Sequence, residues 1–176
     1  MMAEPPRSFP LAPMSRVIIL LTAGVLAVPV ALVVAGLLTP ARSVLLGAAA
    51  FVVVLCAAIW LFARPTGFEV SSGELVVIWP LRHRVIPRTN IASARVIGRG
   101  ELRKELGWAI RVGVGGLWGA FGSLWTSRRG SVEVYVSRTD GLVWIERRVG
   151  RPLLITPTNP EGFLRAIGIA ADASKR

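Results

Sequence analysis

VIILLTAGVLAVPVALVVAGLL, residues 17–38, and VLLGAAAFVVVLCAAIWLFA, residues 44–63, contain no Asp, Glu, Lys, Arg or His. As helices they reach about 33 and 30 Å, the thickness of a bilayer's hydrocarbon core. Two adjacent uncharged runs of this length are rare in soluble cores, so they predict two membrane-spanning helices. Only Thr39, Pro40, Ala41, Arg42 and Ser43 join them. Five residues cannot recross a bilayer, and the expected arrangement is an antiparallel hairpin with both chain ends on one side.

Flanking charge chooses that side. Arg7 and Arg16 precede the first span and Arg64, Arg82 and Arg84 follow the second, whereas Arg42 alone sits in the loop. The positive-inside rule then puts both termini in the cytoplasm, with the chain multi-pass in the inner cell membrane. Trp60 and Phe62 fit an aromatic belt at the inner boundary. A cleaved signal peptide is disfavoured, because the first run is too long and a second span follows at once. Ala23, Ala27, Ala31 and Ala35 recur every fourth residue. Such a stripe admits close approach, by the second span around Gly47 or by a second copy of the chain. Pro29 removes a backbone hydrogen bond and is expected to bend the first span. The sole cysteine, Cys56, lies in the second span, so no intramolecular disulfide forms.

The predicted organisation is a tail over 1–16, the hairpin over 17–63, and a domain over 64–176 that is large enough for its own core. Short β-branched runs separated by turn signals fill that domain. Thr66–Val70 and Glu74–Trp79 flank Ser71-Ser72-Gly73, a hairpin signal. Ser131–Ser137 alternates, and Asp140-Gly141 reads as a tight hairpin turn into Leu142–Glu146. Pro152–Thr156 is a further strand, with weaker candidates at Arg82–Pro87, Ala92–Ile97, Trp108–Val112 and Gly122–Thr126. The spacing predicts a meander folded as a sandwich or barrel. One helix closes the chain. Asn159 is its N-cap, Pro160 its first residue, and Phe163, Leu164, Ile167 and Ala171 its apolar face, suited to plug a barrel end.

In this order of parts the chain resembles a bacterial pleckstrin-homology (PH) domain behind a two-helix membrane anchor. The residues that carry the resemblance are Phe68-Glu69-Val70, Arg84-Val85-Ile86-Pro87 with Ile91-Ala92-Ser93-Ala94, the run Arg111 to Gly122, and Val132 to Val136. The ending Leu154-Ile155-Thr156-Pro157-Thr158-Asn159-Pro160-Glu161-Gly162-Phe163-Leu164 is the most specific stretch. The resemblance spans roughly 66–168 and implies a PH-like barrel of two nearly orthogonal sheets with a capping helix. It also implies binding of lipid headgroups, peptides or proteins rather than chemistry, and fold alone does not choose among these.

Candidate sites follow from the remaining motifs. Gly113, Gly115, Gly116, Gly119 and Gly122 do not match a dinucleotide fingerprint, since the sixth position from Gly113 is Trp118 and no helix follows. They read as a strand connection with positive φ angles, whose N–H groups could also form an anion nest beside Arg111. Residues 64–176 hold eighteen Lys and Arg against nine Asp and Glu. Arg82, Arg84 and Arg88 cluster on one hairpin, with Arg103 and Lys104 as neighbours. The PH resemblance nominates these as lipid or anion contacts, and the glycine nest adds Arg111. The lysine upstream in lipid-binding PH loops is missing here. A solvated basic face, favourable beside anionic lipid, is the plainer account.

Trp118 and Phe121 in the glycine run are the candidate partner-anchoring residues, if exposed. Trp79, Trp108, Trp125 and Trp144 read as core or rim of the barrel. His83, flanked by Leu81-Arg82 and Arg84, has no carboxylate beside it in sequence, and no His, Cys, Asp or Glu set has metal-ligand spacing. Glu101 and Glu105, with Arg103 and Lys104 between them, read as a solvated turn. No catalytic residue, cofactor or metal is expected, and no nucleic-acid motif is present. The sequence therefore predicts a non-enzymatic module that binds an unidentified protein partner at the inner membrane face. The alternative is a sensor of anionic lipid or phosphate headgroups.

Overall fold

The computed structural model describes residues 6–168, and the tail at 174–176 and Ala171 lie outside them. Helix α1 (Arg16–Leu38) and helix α2 (Arg42–Ala58), continued by a π-helical turn at Ile59–Ala63, pack side by side. Both are long and apolar enough to cross a membrane. Ser15 starts α1 by accepting a hydrogen bond from the Ile18 amide. Thr22, Pro29 and Gly36, spaced by seven, are its buried positions, and Ala49 and Cys56 are those of α2. Leu45 lies so close to Gly36 that an added Cβ would meet it at 3.3 Å. Ala23, Ala27 and Ala31 face outward and Gly47 touches nothing nearby, so the seam between the helices is not the alanine stripe.

Among the described residues, ten strands follow the hairpin signals of the sequence, with one addition. They are β1 (Arg7–Pro10), β2 (Gly67–Val70), β3 (Glu74–Ile78), β4 (His83–Pro87), β5 (Ile91–Ile97), β6 (Ala109–Gly115), β7 (Ala120–Thr126), β8 (Gly130–Val136), β9 (Leu142–Arg147) and β10 (Leu153–Ile155). Helix α3 (Arg99–Leu106) joins β5 to β6, and helix α4 (Pro160–Ile167) closes the described chain. One sheet has the order β1-β2-β3-β4 and the other β5-β9-β10-β8-β7-β6. They stack as a sandwich and do not close into a barrel.

Three features differ from the sequence expectation. Residues 7–10, read as tail, form β1 and pair antiparallel with β2 from beyond the helical hairpin. Asp140-Gly141 does turn, with Gly141 at φ 58°, but the strands on either side do not pair. β10 lies between them, parallel to β8 and antiparallel to β9. Its three residues, Leu153, Leu154 and Ile155, are all buried, as a strand covered on both faces requires. Residues 99–106 form a helix rather than a turn, because Leu102 and Leu106, one turn apart, pack on the outer face of the larger sheet.

The main core lies between the sheets. Phe68, Leu75, Val77 and Ile86 from the smaller sheet meet Phe121, Val143, Ile145, Leu153 and Ile155 from the larger. Phe163, Leu164 and Ile167 of α4 enter the same core, each contributing about 1.5–3 kcal/mol by burial. Asn159 Oδ1 accepts from the Gly162 amide at the start of α4, and Gly168 ends it in the left-handed region. β1 adds Phe9, whose ring stands edge-on to Phe163 at 5.3 Å between centroids.

Candidate functional site

The domain is bonded to both apolar helices, and this junction orients every other surface. The Ala12 amide donates to the Thr156 carbonyl at 2.9 Å, and Ser137 Oγ donates to the Ala12 carbonyl at 2.5 Å. The Ser15 amide donates to the Ser137 carbonyl at 3.3 Å, so the end of β8 lies beside the start of α1. Farther along α1, Thr22 Oγ1 accepts from the Trp118 amide at 2.9 Å and donates to the Gly116 carbonyl at 3.2 Å. The β6–β7 turn thereby reaches the second turn of α1. Trp118 sits at φ 58°, a strained region for a side-chain-bearing residue, and its ring packs edge-on to Trp60 at 4.9 Å. Trp79 Nε1 and Arg82 Nη2 donate to the Ala63 and Phe62 carbonyls at 3.2 and 3.0 Å. These bonds satisfy carbonyls at the end of the π-helical turn that have no helical partner.

The glycine run makes this junction possible. Gly113 and Gly122 face one another across β6 and β7, at φ 142° and 125°, and a Cβ on Gly113 would strike the Phe121 carbonyl. The run is thus two paired strands and their turn. Phe121 is a core residue, 2% exposed, and Trp118 is engaged by Trp60 and Thr22. Neither is offered to an external partner.

The basic residues named from the sequence do not converge. β4 runs away from the helices, because His83 pairs with Ile78 and Pro87 with Glu74 at the far turn. Arg82 therefore lies at the junction, also stacked on Trp79 at 4.6 Å, while Arg88 lies at the opposite end and donates to the Ser71 and Ser72 carbonyls. Arg84, between them, bonds Glu133 at 2.7 Å. Glu133 also holds Arg147 at 2.8 Å, whose side chain is 3% exposed, so one carboxylate ties β4 of one sheet to β8 and β9 of the other. Arg103 and Lys104 stand on α3, away from all three. Arg111 lies on β6 opposite Leu124, and its side chain is outside the described residues.

Glu101 and Glu105 both bond Arg95 of β5, and Glu105 also bonds Arg129 at 2.6 Å, which pins α3 to the sheet. Burial works against the Glu105 carboxylate, but the hydrogen bonds and charges of Arg129 and Arg95 outweigh it and hold its pKa below the usual value. Burial, then the Glu133 charge, pushes the Tyr135 phenol up. Among the described residues no group of His, Cys, Asp or Glu is arranged to hold a metal.

The residues that sequence reasoning missed are apolar. Trp108, just before β6, and Ile110 and Val112 within it alternate, exposed by 66%, 46% and 65%. Trp125, opposite Ile110 on β7, is 52% exposed. Phe121 and Trp125 share a face of β7; the first is roofed by the smaller sheet, and the second lies beyond its edge. Among the described residues β6 is also the last strand of its sheet, with one side of its backbone unpaired. The alternation Trp108-x-Ile110-x-Val112 was a readable signal, but the missing roof was not.

Against this geometry, the bacterial PH domain family model matches residues 66–169. The chain belongs to the bacterial PH domain family. Neither curated proteins nor solved structures provide a match. PH domains are generally non-catalytic interaction modules. In this PH domain, β1 and both apolar helices lie outside the matched segment, yet β1 completes a sheet of the sandwich.

Proposed function

We propose that the protein is a membrane-anchored PH module that recruits a protein partner at the inner face through the β6–β7 edge. The observation that carries this reading is the contiguous exposed set Trp108, Ile110, Val112 and Trp125 at the β6 edge of the larger sheet. Aromatic anchors beside an open backbone edge suit an extended segment of another protein, which gains main-chain hydrogen bonds and side-chain pockets together. The two apolar helices are read as spans with both chain ends in the cytoplasm, on the charge asymmetry of their flanks. That anchorage secures the membrane address and leaves the domain's surface for partner choice.

A headgroup sensor on Arg82, Arg84 and Arg88 has weaker support. The three residues point to different ends and partners, and Arg84 is paired with Glu133. The test is co-purification of the full-length protein from its native membranes, comparing the parent with Trp108→Ser/Trp125→Ser. A partner lost selectively in the double variant supports the reading. A partner retained at parental level sinks it.

A further inference from the structure

A second surface lies on the other side of the larger sheet. Helix α3 rests there on one row of leucines, Leu102 and Leu106, and leaves a groove of about 380 Å³ toward β7 and β8. Leu124, Val136 and Leu142 form its floor, and Arg99, Arg103 and Arg138 its rim. Among the described residues, no carboxylate lines it. Glu101 and Glu105, the acids of α3, are turned to Arg95 and Arg129 instead. Arg99 is positioned by the Thr139 carbonyl and hydroxyl, both neutral acceptors. Arg138 Nε donates to the Asp140 carbonyl at 3.1 Å, and the Asp140 carboxylate, 4.0 Å away, is 74% exposed.

The position of this groove names its occupant. Arg138 follows Ser137, the residue bonded to Ser15 and Ala12 at the foot of α1. Arg99, at the start of α3, is bonded to Thr139, so the arginine-bearing mouth faces the helix junction. From that mouth the groove follows α3 for about 12 Å, between aliphatic walls. An aliphatic channel with cations at its membrane-facing mouth is complementary to an acyl chain with an anionic head.

We propose that the groove between α3 and the sheet binds the acyl chain of an anionic amphiphile from the adjoining membrane, with Arg99 and Arg138 on its headgroup. This site is separate from the β6–β7 edge and does not depend on it. It also differs from the Arg82, Arg84 and Arg88 stripe, since it uses none of those residues.

The test uses the full-length protein in phosphatidylcholine nanodiscs, with palmitic acid that carries a diazirine on its chain. After illumination, label is expected at 102–106 and 124–136 as well as on the two apolar helices. Arg99→Gln/Arg138→Gln should lower groove label about tenfold, as expected for lost charge-assisted bonds, with helix label unchanged as the internal control. Leu124→Trp, which fills the floor, should remove groove label by steric exclusion. Label confined to 17–63 overturns the proposal. So does groove label indifferent to both variants, or a co-purifying polypeptide that protects the groove.

Discussion

The outermost strands β1 and β6 sit at the edges of different sheets and are built in opposite ways. β1 has four residues, ends in Pro10, and turns Ser8 outward while Phe9 packs on Phe163. It is a blunted edge, unsuited to pairing with another chain. β6 has seven residues and shows Ile110 and Val112 on an open face. The contrast teaches that the chain protects the outer edge of one sheet with its own N-terminal segment and leaves the β6 edge of the other exposed. An edge left long and apolar while its counterpart is protected is the basis of the proposed partner site.

The strongest way to break this comparison is to remove β1. A fragment of residues 65–176 lacks Phe9 and Leu11 of the core and should lose about 5 kcal/mol or more in denaturant unfolding. Joining residues 6–13 to position 65 by a short linker should restore it, since the Leu11 amide already bonds the Thr66 carbonyl at 3.1 Å. Equal stability of the two forms would mean that β1 is ornamental. Next in size, Glu133→Ala strands the buried Arg147 guanidinium, at a cost of roughly 3 kcal/mol. The same assay on the linked form reads it.

Smaller effects sharpen the picture. Thr22→Val deprives the Trp118 amide and Gly116 carbonyl of their partner, a loss of about 1–3 kcal/mol local to the turn. Hydrogen exchange should rise in residues 115–119 and stay level in β1. For Glu105, the lowered folded pKa means that its stabilisation is present above the ordinary carboxylate value of 4.5 and is lost as pH falls below it, through the folded value. Exchange in residues 99–106 should quicken on acidification through that window, and Glu105→Gln should flatten the response. Least of all, Trp125→Ser should leave stability within about 0.5 kcal/mol while removing the proposed partner.

Much of the fold was legible because composition and alternation are local signals. The uncharged runs marked α1 and α2, and nine strands were found from β-branched alternation and turn residues. β1 was not, because Arg7-Ser8-Phe9-Pro10 carries a proline and its pairing partner lies beyond the helical hairpin. The insertion of β10 between β8 and β9 was hidden for a similar reason. Asp140-Gly141 has the chemistry of a hairpin turn, and only tertiary packing decides that a third strand enters. At the site, the charge run around Arg84 could be read but its pairing with Glu133 could not, since that contact joins two sheets. Tryptophan exposure was equally invisible. Trp144 and Trp125 are alike in sequence context, but one lies under α3 and the other past the edge of the smaller sheet.

The most direct test places a photo-cross-linking amino acid at Val112 of β6 or at Ser8 of β1 in the full-length protein in its native membrane. Both sites are exposed, so reach alone does not separate them. A discrete protein adduct at Val112, absent at Ser8 and abolished by Trp125→Ser, is the result expected of an open edge that takes a partner. No adduct at Val112, or the same adduct at both positions, would contradict it.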